Sequence, residues 1–168
     1  MEKDTAIRDR FIATIERFLL EENLPRVIKC LELLSEEQIW FKPNTASNSV
    51  GNLVLHLAGN LNQWVLKAIG GKNYKRKRDE EFTADKTKSK EELIEILVSI
   101  KNELSTVINS VSAEELLRVR PVQIYEEDAI TILIHVTEHF SYHTGQIAYI
   151  TKWLTCRPTD FYGDLEEK

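Results

Sequence analysis

Cysteine, proline and glycine are all scarce in this 168-residue chain. The two cysteines, Cys30 and Cys156, are too few for a disulfide framework and have no CxxC spacing, so both read as buried or incidental thiols in a reducing compartment. With only 4 prolines and 6 glycines, a many-turned β protein is excluded and long uninterrupted elements are favoured. Neither sign of charge dominates: 22 basic residues stand against 27 acidic ones, and a net charge of -5 gives no basis for a nucleic-acid partner. The longest charge-free stretch, residues 43–66, is interrupted by Asn44, Asn48, Asn52, Asn60, Asn62 and Gln63, which makes it a poor membrane span. Met1-Glu2-Lys3-Asp4 is charged and no apolar signal-peptide segment follows it. What these absences leave is a cytoplasmic chain forming one domain over residues 1–168, long enough to bury a core.

What is present is helical periodicity. Ile7, Phe11, Ile15, Phe18 and Leu19 recur at three- and four-residue spacing, and the stripe continues through Leu24, Val27, Ile28, Leu31 and Leu34. This predicts a first helix over residues 4–34, kinked or divided at Pro25. Ser35 and Gln38 form a capping-box pair for a short turn, and Trp40-Phe41-Lys42-Pro43 is a stop. A second helix is predicted from Asn48 or Ser49 to the glycine pair Gly70-Gly71. Residues 72–88 show no period and read as a solvated loop, in which Lys75-Arg76-Lys77-Arg78 is neutralised by Asp79, Glu80 and Glu81. The third helix starts at Ser89, capped with Glu92, and ends near Val111. Ser112 opens another short turn, and residues 120–125 are irregular or briefly extended. The fourth helix covers residues 127–154. The result is an all-α four-helix bundle, the architecture in which ligand sites lie between facing helices.

The informative anomaly is a lack of charge where a surface helix should carry it. The second helix has no charged residue between Val50 and Leu66, yet Asn52, His56, Asn60 and Gln63 share a stripe about 60° wide. Such an uncharged polar stripe suits the wall of a wet internal pocket. In the fourth helix Glu138 is the only charge between Ala129 and Thr151, and His135, His139, His143 and Gln146 fall within roughly 80°. Three of the chain's 4 histidines therefore share one stripe and the fourth centres the other. Histidines four residues apart rise about 6 Å and can meet at one ion, whereas His135 and His143 are about 12 Å apart and cannot. At most two of the three join one site, and His56 would complete it from the facing helix. Three neutral imidazoles suit zinc, nickel, iron or cobalt and leave an open position. The HExxH signature is absent, since Phe140 follows His139.

The segment from Ser49 to Ala58 resembles the S-I-G-x-L-V-x-H-L-A segment of the DinB/YfiT-like superfamily. The segment from His135 to Ile147 resembles its H-x-x-x-H-x-x-x-H-x-G-Q-I segment, and Trp40 to Pro43 resembles the stop before its second helix. The resemblance implies an up-down-down-up bundle, often a homodimer. It also implies a divalent transition metal, with Zn, Ni or Fe as candidates, held by His56, His139 and His143, with His135 a neighbour of the site. It further implies a small-molecule substrate, in particular transfer of a low-molecular-weight thiol such as bacillithiol to an electrophile.

On that reading Asn52, Asn60 and Gln146 orient cosubstrate and water, with holding an imidazole as the alternative for Gln146, and Tyr142 is a buried packing residue. The metal helices carry almost no basic residue, so an anionic thiol would draw its grip from Arg118, Arg120 or the Lys75–Arg78 run. A metal-dependent hydrolase is the alternative, although Glu138 lies about 100° round the helix from His139. A non-catalytic metal-binding or interaction protein is the third possibility. Trp64, Trp153 and Phe140 belong to core or interface.

Overall fold

Four helical rods form because four stretches carry an apolar stripe that can be buried, and local capping residues bound them. The computed structural model describes residues 2–163. The first rod consists of α1 (Glu2–Glu16), a π-helical segment Arg17–Asn23 and α2 (Leu24–Leu33). The division expected at Pro25 takes the form of a change in pitch, with Asn23 and Leu24 still helical in backbone conformation. Proline has no amide proton and its ring crowds the carbonyl one turn back, so a widened turn before it relieves the clash. The buried Asn23 side chain donates to the Phe18 carbonyl within that turn, at 2.8 Å. The Ser35–Gln38 box then opens α3 (Glu36–Trp40) as predicted.

The second rod begins at Ser49. Its Oγ accepts from the Asn52 backbone N–H at 3.1 Å, while Asn52 Oδ1 accepts from the Ser49 N–H at 3.2 Å. From this box runs α4 (Val50–Leu61), continued by a π-helical segment Asn62–Lys67. Gly71, at φ 71°, ends the rod in the left-handed region, where glycine is unstrained. The third rod is α6 (Lys90–Ser110), capped by Ser89 and Glu92. After α7 (Ala113–Leu117), strands β1 (Arg120–Val122) and β2 (Tyr125–Glu127) pair antiparallel with Arg120 opposite Glu127. Asp128 caps the fourth rod, α8 (Ala129–Thr155).

The stretch 72–88 corrects the sequence reading. It contains a helix, α5 (Arg78–Thr83), with Asp79, Glu80 and Glu81 in its first turn. Six residues are too few to show a period, and what holds α5 is tertiary. The Asn52 side-chain amide donates to the Glu81 carbonyl at 2.9 Å and to the Ala84 carbonyl at 2.8 Å. Nor is the stretch uniformly solvated, because Arg76 and Glu81 are buried against α4.

Long-range hydrogen bonds set the directions of the rods. Arg8 near the start of the first rod bonds the Val111 carbonyl at the end of the third, so those two are antiparallel. Trp40 Nε1 donates to the Lys88 carbonyl, placing the start of α6 at the end where α4 also starts. Gln38 Nε2 donates to the Leu154 carbonyl, bringing α8 to finish at that same end. The order is up-down-down-up. The first rod packs on α6 and α8, and α4 packs on the same two from the other side. Between them lies the core, with Leu19, Leu31, Leu57, Leu97, Leu104 and Phe140 fully buried. Trp64 is buried, Trp153 is more than half exposed, and Tyr142, expected inside, is 60% exposed. Among the described residues no helix is long and apolar enough to cross a membrane.

Candidate metal centre

The facing surfaces of α4 and α8 carry the histidines. His56 projects from the middle of α4 and is buried; His139 and His143 project from α8 and are half-buried. His56 Nε2 lies 3.1 Å from His139 Nε2. Ring centroids are 5.0 Å apart for His56 and His139, 5.1 Å for His56 and His143, and 4.6 Å for His139 and His143. One nitrogen from each ring can be chosen so that all three lie within 4.8 Å of one another. Imidazole ligands of tetrahedral zinc, at about 2.0–2.1 Å from the ion, stand a little over 3 Å apart. The His56–His139 pair already has that spacing, and His143 brings a ring nitrogen within 4.8 Å of both.

His135 stands outside the group. Its ring lies 4.2 Å from that of Trp64 and 5.7 Å from that of His139. The structure therefore brings together the pair on α8 that the resemblance implied, with His135 as its neighbour.

The outer nitrogens of two rings are engaged. His143 Nδ1 meets Gln146 Oε1 at 2.7 Å. An amide oxygen only accepts, so Nδ1 carries the proton and Nε2 keeps its lone pair. Gln146 thus holds an imidazole. His56 Nδ1 lies 3.0 Å from Glu81 Oε2. His139 differs, for its buried Nδ1 has no hydrogen-bond partner among the described residues.

Burial favours the neutral form of an imidazole. It pushes His139 down to about 3, helped by the fields of His143, His56, His135 and Arg76. Burial also lowers His143, against the opposing bond to Gln146, and lowers His135. Glu81 goes the other way from an ordinary buried acid. Burial pushes it up, but hydrogen bonds from Arg76 and His56 outweigh that, and it stays below the usual carboxylate range. Neutral imidazoles keep the lone pairs that a cation needs, so the donor set fits one divalent ion.

A cavity of about 570 Å³ adjoins the His56 and His139 rings, while His143 does not line it. His56, Asn60, His135 and His139 line its inner part together with the buried Arg76 guanidinium, Trp64 and Tyr125 are its aromatic side, and Arg78, Gln123 and Glu127 stand at its rim. The expected polar stripe of α4 is divided by this arrangement. His56 and Asn60 reach the cavity, whereas Asn52 is fully buried, with its amide holding α5 and its oxygen at the helix cap. Asn52 is structural, contrary to the role expected for it.

Sequence reasoning missed Glu81 as a partner of the site and offered Arg76 only within the Lys75–Arg78 run, as a grip for an anion. Arg76 Nε donates to Glu81 Oε1 at 2.7 Å and Nη2 donates to Oε2 at 2.8 Å, a two-point pair with both side chains under 10% exposed. Nothing local separates Glu81 from Glu80 and Asp79. The signal lies on another element, at Gly59, where a Cβ would fall on the Glu81 carboxylate.

Comparison with known proteins agrees with this architecture. The chain resembles the crystal structure of a DinB-like protein from Bacillus cereus, at 14% identity and a TM-score of 0.66, over 83% of this chain and 91% of that one. It resembles a DinB-like protein, YjoA, from Bacillus subtilis at 16% identity and a TM-score of 0.62, over 83% and 90%. No curated protein matches it. Residues 11–160 match the model of the family described as protein of unknown function DUF1572, so the chain belongs to that family and has the fold of the DinB-like proteins.

Proposed function

We propose that this protein is a metal-dependent enzyme that binds zinc, nickel or iron through His56, His139 and His143 and acts on a small molecule in the adjoining cavity. The observation that carries the reading is the convergence of three imidazoles within 4.8 Å from two helices, two of them lining a cavity of about 570 Å³. The reaction favoured is transfer of a low-molecular-weight thiol to an electrophile, as the DinB/YfiT-like resemblance implies. When bound, the ion supplies Lewis acidity that lowers the pKa of the thiol and favours its nucleophilic form.

The chain's own residues bind and orient. Gln146 and Glu81 hold two rings in place. Asn60 and Gln123 offer amides to a polar substrate, and Trp64 and Tyr125 give an apolar side. Arg118 and Arg120 are each paired with Glu115 and drop out as the grip for an anion. Arg78 lines the cavity, forms no salt bridge among the described residues and stacks on Phe82, which in turn packs against His56. It is the residue suited to an anionic group on the substrate. Glu127 at the same rim supports a second reading, hydrolysis of a small ester or amide with Glu127 as base.

Elemental analysis of purified protein should find about one transition-metal ion per chain, and His143→Ala should retain little. Metal-loaded protein should consume thiol in the presence of a model electrophile faster than His143→Ala does. Equal rates would discard thiol transfer, and ester turnover without thiol would favour hydrolysis.

A further inference from the structure

Among the described residues, Arg76–Glu81 is the one arginine–carboxylate pair in which both partners are under 10% exposed. Buried ion pairs are weak evidence for stability, because apolar replacements often serve as well. The place of this pair gives it another role. An ionised carboxylate only accepts hydrogen bonds, so the 3.0 Å contact puts a proton on His56 Nδ1 and makes Nε2, which faces His139, the nitrogen through which the ring can hold a cation. Arg76 Nη2 also lies 3.2 Å from Nδ1, but a guanidinium only donates. Its protons are taken by Glu81 Oε2 at 2.8 Å and the His56 carbonyl at 3.4 Å. The pair fits against α4 only because Gly59 has no side chain. Its segment is anchored on the same helix by the Asn52 amide.

We propose that Glu81, held by Arg76 in the recess at Gly59, is a positioning residue of the metal centre and links ion binding to the docking of residues 72–88. The inference rests on the reading of the three histidines as a metal site. A cation on His56 Nε2 makes Nδ1–H a stronger donor and tightens its bond to Glu81. By reciprocity, a docked Glu81 raises the affinity of His56 for the ion to the same extent.

The test combines zinc titration by calorimetry, limited trypsin digestion and nitrogen-15 spectra of the histidine rings. Zinc should slow cleavage of the wild-type protein at the exposed Lys75, Lys77 and Arg78. Glu81→Gln should bind zinc about ten- to a hundredfold more weakly and lose that protection. Glu80→Gln, which removes the neighbouring exposed carboxylate, should behave as wild type. The spectrum of metal-free wild-type protein needs no variant, and should show the His56 proton on Nδ1. A wild-type protein that takes up no zinc would overturn the reading of the three histidines itself. Zinc bound equally well by Glu81→Gln, equal protection in that variant, or an unprotonated His56 Nδ1 would overturn the role of Glu81 alone.

Discussion

Two helical glycines show how far a single residue's effect depends on what faces it. Alanine in place of glycine inside a helix is favourable by about 0.5–1 kcal/mol when the new methyl meets nothing. At Gly145 there is open space among the described residues, and Gly145→Ala should stabilise the protein by that amount. At Gly59 the methyl would collide with the Glu81 carboxylate, with Arg76 Nε only 3.2 Å away. Overpacking of that kind costs about 1–3 kcal/mol, which exceeds the helical gain, so Gly59→Ala should destabilise. Urea unfolding of the two variants checks the opposite signs. A stabilised Gly59→Ala would mean that Arg76 and Glu81 move aside freely. Gly145 belongs to the sequence pattern that drew attention to α8, whereas Gly59 belongs to none, yet Gly59 is the one that shapes the site.

At the scale of elements, caps connect the fold to the histidines. Ser49 opens α4, and its hydroxyl also lies 2.8 Å from Asn52 Oδ1 in a fully buried position. Loss of an N-cap hydroxyl costs about 0.5–2 kcal/mol. Ser49→Ala should fall at the upper end, because Asn52 is also the anchor of α5. Ser112→Ala, at an exposed cap of α7, should fall at the lower end. Thermal unfolding of both variants measures the difference, and equal losses would separate Asn52 from the cap. The caps at Ser35 and Ser89 were legible because each box is written within four consecutive residues, whereas the choice of Ser49 over Asn48 was left to the structure. By contrast, α5 was not legible. Its six residues take their shape from an amide almost 30 positions upstream.

The whole molecule carries a pH dependence that follows from burying its histidines. In an unfolded chain each imidazole takes up a proton near pH 6.5. Folded His139 resists protonation down to about 3, and His143 and His135 are shifted in the same direction, each chiefly by burial. Below about pH 6.5 the unfolded state of the metal-free protein therefore binds more protons than the native state. Its stability should fall as pH drops from about 6.5 toward 3, and these groups should contribute no slope above that window. Urea unfolding of chelator-treated protein at several pH values should show this loss, with a shallower slope in His139→Leu. An unchanged slope in that variant would remove His139 as its main source.

The sequence by itself determined the four rods, the caps at Ser35 and Ser89 and the two uncharged stripes, because period, capping and missing charge are short-range properties of the chain. It also placed His139 and His143 one helical turn apart, a spacing the α-helix guarantees. Only the tertiary structure decided that His56 Nε2 comes to 3.1 Å from His139, that His135 turns to Trp64, and that Asn52 serves the fold. It alone took Arg76 and Glu81 out of an apparently solvated charge run and set them behind His56. The physical reason is that burial and pairing depend on which surfaces meet when the rods pack, and residues such as Gly59 and Glu81, on different elements, have no relation until they do.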